Sequence, residues 1–408
     1  MNLLLQSTIV NQQSSIKISG SKSETNRLLL LQALYPNLVL ENVSNSDDSE
    51  VMIKALISNK TVIDIHHAGT AMRFLTAYFA QKEAKEVILT GSSRMKERPI
   101  KILVEALQQL GAEISYEENE GFPPIKIIGK KITQNKVSLP ANVSSQYISA
   151  LLLIASKLEN GLELTLVGEI TSIPYIKMTL VLLNEIGIET SFENNIIKVN
   201  QKSNIVNQES TIESDWSSAS YFYSIIALSD IGTQITLSSY KQNSLQGDSA
   251  LVDIYKNFDV ETTFENNSIV LKKSKIVNQK SLIFNLNNSP DIAQTIAVTC
   301  FGLGIGCHLT GLHTLKIKET DRLEALQVEL TKLGATISVT NDSLTLENTS
   351  KINSDIKIKT YQDHRMAMAF APLALKTSII IEDAEVVSKS YPSFWNDLQS
   401  IGFNILEE

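Results

Sequence analysis

The stretch Ile100–Gly129, IKILVEALQQLGAEISYEENEGFPPIKIIG, decides how the chain is read. Its apolar residues first recur at helical spacing, then break at Gly111, then alternate as in two short strands. The same phrase returns from Ile176 as IKMTLVLLNEIGIETSFENNIIKV and from Ala250 as ALVDIYKNFDVETTFENNSIVLK. It returns again from Arg322 as RLEALQVELTKLGATISVTNDSLTLE. Asn-Asn or Asn-Asp between the alternating runs marks a hairpin. A clipped copy, FWNDLQSIGFNILEE, ends the chain, and a degenerate one follows Asp47.

Between these phrases lies a second kind of helix, apolar on nearly every face. Its members are ETNRLLLLQALY, GTAMRFLTAYFA, SSQYISALLLIAS, SSASYFYSIIALS, DIAQTIAVTCFG and HRMAMAFAPLAL, starting near Glu24, Gly69, Ser144, Ser217, Asp291 and His364. A helix without a polar face belongs inside a protein. Each repeat is therefore βαβαββ-like, with one buried and one amphipathic helix. Six repeats in 408 residues predict an α/β (α+β) protein of two similar domains, three repeats in each.

Composition narrows the function classes. The 36 basic and 44 acidic side chains leave a net charge of −8, which argues against a general nucleic-acid or lipid-surface binder. The N-terminus lacks a basic region followed by a long apolar run, and the apolar stretch around Leu151–Ala155 is too short to span a bilayer. The reading is a cytoplasmic protein. Cys300 and Cys307 lie in an apolar stretch and read as small core residues rather than a disulfide. No phosphate loop of the GxxxxGK[ST] kind occurs, and the five histidines lack metal-ligand spacing. His66 and His67, adjacent, would point apart on a strand. No metal or cofactor is expected.

The starts of the apolar helices are rich in Ser, Thr, Gly and Asp. Such residues cap helices, and that reading suffices for any one of them. Several helix starts accompanied by Lys, Arg or Gln also offer free N–H groups and positive dipole ends to an anion. The basic clusters beside them are GSKSETNR from Gly20, AGTAMR from Ala68, RMKERP from Arg94, KETDR from Lys318, DHRMAM from Asp363 and SKSYP from Ser388. Arginine offers anions a planar fork of donors and lysine a point charge. Taken alone, KETDR is an exposed salt-bridged helix face. Asp291 reads equally as a catalytic carboxylate or as the N-cap of the helix that follows it.

In this order and combination, the motifs GSKSxxNR, AGTAMR, RMKERPI, SSQ, KETDRL and DHRMAM resemble those of the EPSP synthases (3-phosphoshikimate 1-carboxyvinyltransferases), from Gly20 to Pro392. The resemblance implies two domains whose helices pack inside. It also implies crossings near Gly20–Ser21 and Glu213–Trp216, which gives a discontinuous domain of residues 1–20 plus 215–408 and a second of 21–214, with the active site in the cleft between them. It implies transfer of the enolpyruvyl group of phosphoenolpyruvate to the 5-hydroxyl of shikimate 3-phosphate, in the shikimate pathway to chorismate, with no cofactor; a monomer is the default expectation.

Carried over position by position, Lys22, Ser23, Arg27, Ser144, Ser145, Gln146, Ser172, Asp291, Thr314 and Lys318 should hold shikimate 3-phosphate. Lys22, Gly69, Arg94, Gln146, Arg322, Arg365 and Lys389 should surround phosphoenolpyruvate, with Gly69 allowing close backbone approach. Asp291 should accept the 5-hydroxyl proton, while Glu319 and Lys22 share the remaining proton traffic. Two positions depart from the family pattern. His67 and Thr314 stand where asparagine is usual. Two other readings are a UDP-N-acetylglucosamine enolpyruvyl transferase and a non-catalytic repeat scaffold. Against the first, the segment Thr90–Lys96 has no cysteine; against the second, the scattered cations and both candidate carboxyls are kept.

Overall fold

Backbone pairing repeats with the same order along the chain. A computed structural model describes residues 1–6, 13–170, 173–206, 208–277, 280–349 and 351–408. The chain divides into two compact units, Met1–Ser19 with Glu213–Glu408, and Gly20–Ile212.

In the Gly20–Ile212 unit, strand Val62–Asp64 runs parallel to Glu86–Thr90. Glu86–Thr90 pairs antiparallel with Ile125–Ile128, which pairs antiparallel with Glu113–Tyr116. Helix Gly69–Ala80 connects the first two strands, and helix Lys101–Gln109 leads into the hairpin. Strands Lys136–Pro140, Leu162–Val167, Ile196–Val199 and Thr190–Glu193 repeat that order around helices Ser145–Ala155 and Ile173–Glu185.

The other unit has three such sheets. One is built from Gln13–Ile16, Gln234–Ser238, Ser268–Lys273 and Val260–Glu265. A second uses Ser281–Asn285, Gly306–Thr310, Leu344–Leu346 and Ile337–Val339. The third uses Ile356–Ile358, Ile379–Ile381, Leu3–Gln6 and Asn404–Glu407.

The clipped final repeat is therefore complete in space. Leu3–Gln6 from the start of the chain enters its sheet between Ile379–Ile381 and Asn404–Glu407, and Leu5 is fully buried there. Gln13–Ile16 likewise supplies the first strand of another sheet. The degenerate repeat is short for a different reason: among the described residues it has only Val39–Glu41 paired in parallel with Glu209–Thr211, and no hairpin.

Two hairpins turn on Asn194-Asn195 and Asn266-Asn267, all four residues at positive φ. Two-residue turns of that handedness match strand twist, and asparagine tolerates them better than branched residues. The TNDS hairpin differs, using a four-residue loop in which Thr340 Oγ1 accepts from the backbone N–H groups of Asp342 and Ser343.

The apolar helices lie inside their units. Helix Trp216–Leu228 buries 12 of its 13 residues and Gly69–Ala80 buries 11 of 12, so no face of either is left for solvent. Their hydroxyls pair with one another instead of with water. Ser220 Oγ and Thr295 Oγ1 are 3.0 Å apart, and Thr299 Oγ1 donates to Ser224 Oγ at 2.8 Å. Hydrogen bonds of this kind offset the desolvation of buried hydroxyls and fix the register of neighbouring helices.

Cys300 and Cys307 are buried and unbridged. Burial pushes the Cys300 thiol well up. His66 and His67 correct the strand expectation. They sit in a turn beyond Asp64, where His66 adopts φ 50° and its N–H donates to Asp64 Oδ1 at 2.7 Å.

Candidate active site

Each unit, taken by itself, gathers the starts of its buried helices at one place. In the Gly20–Ile212 unit, Gln146 Nε2 donates to Thr70 Oγ1 at 3.1 Å, joining the first turns of helices Ser145–Ala155 and Gly69–Ala80. One turn further in, the Arg73 guanidinium lies over the Tyr147 ring, 5.9 Å from its centroid. The third helix, Lys22–Leu34, joins through Arg27, which lies over the Phe74 ring.

Arg27 is buried, and each of its hydrogen bonds goes to a neutral oxygen. Nη1 donates to Ser23 O at 2.7 Å, Nε to Thr179 Oγ1 at 2.8 Å and Nη2 to Ser149 Oγ at 3.1 Å. Burial lowers its pKa to about 10, against smaller opposing effects of Tyr175 and Glu24. A guanidinium held by neutral acceptors keeps its charge available to an anion.

Ser144 caps its helix, its hydroxyl accepting from Gln146 N. Ser145 is buried in the first turn, and Lys22 Nζ lies 3.5 Å from Asp48 Oδ2. Gly69 is tight for a reason that sequence reading missed. A Cβ there would lie 2.4 Å from Nη1 of Arg98, so an arginine already makes the close approach.

Arg94 stands apart in this unit, half exposed on the four-residue helix Ser93–Lys96 and paired with Glu97 at 2.9 Å. Ser172 lies outside the described residues. His67 lines a cleft of about 670 Å³ with Asp47, Lys54, Asp64 and His66, and none of the sequence-predicted site residues lines it.

In the other unit, the centre is Asp291. Lys318 Nζ lies 3.3 Å from its Oδ1, Arg322 Nη1 lies 2.9 Å from the same oxygen, and Arg365 Nη2 lies 3.5 Å from Oδ2. Helix Ala293–Leu303 has Ile292 at its cap position and no side-chain cap, so the capping reading of Asp291 does not hold. Burial works to raise the Asp291 pKa. Lys318, Arg365 and Arg322 outweigh it and hold the carboxyl well below the usual range.

Arg322 is not the exposed helix-face residue that KETDR alone suggests. It is 2% exposed and binds three carboxylates: Asp363 through Nε at 2.6 Å, Glu319 through Nη2 at 2.7 Å and Asp291 through Nη1. Burial would lower its pKa, but Asp363, Glu319 and Asp291 together raise it. Asp321, its neighbour in sequence, takes the capping role by accepting from Leu323 N and Glu324 N.

Asp363 caps the helix His364–Phe370 by accepting from Arg365 N at 2.9 Å. Lys389 Nζ donates to Gln362 O at 2.7 Å, which sets it beside that helix start. Thr314 Oγ1 is buried and meets no hydrogen-bond partner among the described residues. Asp363, Ser217 and Asp248 also belong to this network, and sequence reasoning gave them no role. Asp363 was visible in the DHR motif; Asp248 follows a glycine in what reads as a turn.

A set of cations that already neutralises carboxylates can exchange those partners for an incoming anion, and the freed carboxylates can then carry protons. Among the described residues, no cluster of three or more His, Cys, Asp or Glu side chains could hold a metal ion. No described helix is long and apolar enough to cross a membrane.

Comparison with known proteins identifies the family. Residues 55–398 match the EPSP synthase (3-phosphoshikimate 1-carboxyvinyltransferase) family. A 3-phosphoshikimate 1-carboxyvinyltransferase of Bacteroides fragilis is 46% identical over 403 residues, covering 96% of each chain. One from Haemophilus influenzae is 35% identical, covering 95% of this chain and 96% of its own. An EPSP synthase structure from Acinetobacter baumannii superposes along the whole of both chains with a TM-score of 0.82 at 20% identity, a likeness of fold. With the family match spanning most of the chain and relatives aligned nearly end to end, this chain belongs to the EPSP synthase family.

Proposed function

We propose that the protein joins phosphoenolpyruvate to the 5-hydroxyl of shikimate 3-phosphate and releases inorganic phosphate. The observation that carries this reading is Asp291, held by Lys318, Arg322 and Arg365 at 2.9 to 3.5 Å beside Glu319. Protonation of C3 of phosphoenolpyruvate makes C2 electrophilic, and the 5-hydroxyl oxygen attacks C2 as its proton leaves. Loss of a proton from C3 then restores the vinyl group as the C2–O bond to phosphate breaks. No P–O bond is made or broken.

Asp291 is a weak base while three cations hold it. Phosphoenolpyruvate entering beside Arg322, Arg365 and Lys389 draws on those cations, which raises the Asp291 pKa toward its task. Glu319, bound to the same arginine, is the group for the C3 proton, and Lys22 supports the transfer. Arg27, Ser23, Ser144, Ser145, Gln146, Ser172, Thr314 and Lys318 hold shikimate 3-phosphate. Gly69, Arg94 and Gln146 complete the phosphoenolpyruvate site.

This reading draws residues for each substrate from both units, in a cytoplasmic monomer. It also expects the scattering profile to contract when both substrates bind. The UDP-N-acetylglucosamine reading is not favoured: both cysteines are buried, Cys300 in helix Ala293–Leu303 and Cys307 in strand Gly306–Thr310.

Phosphate release from the two substrates tests the assignment. The parent should turn over, and Asp291→Ala should lose at least about 100-fold in kcat, the scale of a general base. Parent-like turnover by that variant would remove Asp291 from the chemistry.

A further inference from the structure

Asp248 sits in the turn Gly247–Ala250, 3% exposed, and no role in the reaction above uses it. Its Oδ2 accepts a short hydrogen bond from the hydroxyl of Ser217, in the first turn of helix Trp216–Leu228. Its Oδ1 is buried and meets no hydrogen-bond partner among the described residues. Burial first, then the Asp291 charge, pushes its carboxyl up to about 6, with Arg365 opposing. A buried carboxylate with one oxygen unpaired costs stability, and such costs cluster where a group serves function.

A serine hydroxyl has one proton and two lone pairs. With its proton given to Asp248, Ser217 turns its lone pairs outward, and Arg365 Nη2 donates to that oxygen at 3.2 Å. Among the described residues, the other contacts of the Arg365 guanidinium are long: Nη1 to Asp291 O at 3.3 Å and Nη2 to Asp291 Oδ2 at 3.5 Å. A guanidinium binds a carboxylate or phosphate well only when its plane is set. An anion that competes for Asp291 leaves the Ser217 bond to hold that plane.

We propose that Asp248 is a positioning residue that fixes the Ser217 hydroxyl and, through it, the plane of the Arg365 guanidinium that receives phosphoenolpyruvate. This rests on the assignment of Arg365 to that substrate. Asp248 touches neither substrate, and its effect is confined to the anion bound by Arg365.

Steady-state kinetics on Ser217→Ala and Asp248→Ala test the relay. Each should raise the KM for phosphoenolpyruvate about tenfold, the scale of one hydrogen bond to a charged group. The kcat and the KM for shikimate 3-phosphate should stay within about threefold. The double variant should be no worse than either single one, because both cut one chain of contacts. Asp248→Asn keeps an acceptor oxygen for Ser217 and should restore a KM within about threefold of the parent.

A merely structural Asp248 would lower the melting temperature and kcat with the KM for phosphoenolpyruvate unchanged, and that result overturns the proposal. Additive effects of the two alanine variants also overturn it. A parent that releases no phosphate would sink the transfer reaction rather than the relay. Calorimetric binding of phosphoenolpyruvate without shikimate 3-phosphate, so that no turnover occurs, then decides the matter: about tenfold weaker binding by both variants supports the relay, and parent-like binding overturns it.

Discussion

Arg322 Nε lies 2.6 Å from Asp363 Oδ2, with the arginine 2% exposed and the aspartate fully buried. The pair fixes the geometry of the charged cluster, because Asp363 also caps the helix carrying Arg365 while Arg322 also binds Asp291 and Glu319. Without Asp363, the buried Nε–H of Arg322 and the backbone N–H of Arg365 lose their acceptor, while Asp291 and Glu319 still balance the Arg322 charge. Asp363→Ala should destabilise the protein by about 2 to 4 kcal/mol in denaturant titrations. A loss below about 1 kcal/mol would mean that water reaches Arg322 and replaces the carboxylate.

Asp248 should cost stability near neutral pH. Its carboxyl rises from 3.8 to about 6 in the folded protein, so the folded state binds this proton more tightly than the unfolded chain does. The stabilisation by that proton is complete below pH 3.8 and is lost as pH climbs through about 6. At pH 7 to 8 the charged form therefore costs about 3 kcal/mol. Asp248→Asn should melt higher than the parent at pH 7.5, and the gap should narrow as pH falls toward 5. A gap independent of pH would contradict a carboxyl raised by burial.

Arg94 offers the reverse combination. Half exposed and paired with Glu97, it contributes little to folding, and Arg94→Ala should change stability by less than about 0.5 kcal/mol. If it closes over phosphoenolpyruvate, the same variant should lose at least about 100-fold in kcat/KM for that substrate. Unchanged kinetics would leave it an ordinary surface arginine.

Arg27 should separate the two substrates. It is anchored through Ser149, Thr179 and Ser23, and Arg27→Lys keeps a charge but loses the fork that reaches all three. The KM for shikimate 3-phosphate should rise 10- to 100-fold, with that for phosphoenolpyruvate changed less than about threefold. Equal rises would place Arg27 against both substrates.

The N-terminal strand should matter far more than its position suggests. Leu5 is fully buried between Ile379 and Ile405 in the last sheet, so Leu5→Ala should cost about 2 to 5 kcal/mol. A cost typical of a frayed terminus, below about 0.5 kcal/mol, would show that the strand does not complete that repeat.

Much of this protein was determined by local pattern. Helix and hairpin phrases at a repeating interval reveal the βαβαββ module, since apolar spacing of 3.6 and 2 residues is written into neighbouring positions. The buried helices begin within about two residues of where apolar content placed them, at Lys22, Gly69, Ser145, Trp216, Ala293 and His364. The residues bearing charge at those starts were legible too, because a cation beside a polar helix start reads as an anion site.

What tertiary structure alone decided is which distant segments complete one another. Nothing local in Leu3–Gln6 or Gln13–Ile16 says that each fills a gap in a sheet formed hundreds of residues later, because a strand's partner is chosen by hydrogen bonds that its own sequence does not encode. The same holds for Asp291, equally a cap or a catalytic carboxylate in sequence. Only the tertiary structure shows that it caps no helix and that Lys318, Arg322 and Arg365 converge on its two oxygens, since electrostatic environment depends on distances in space and sequence order does not supply them.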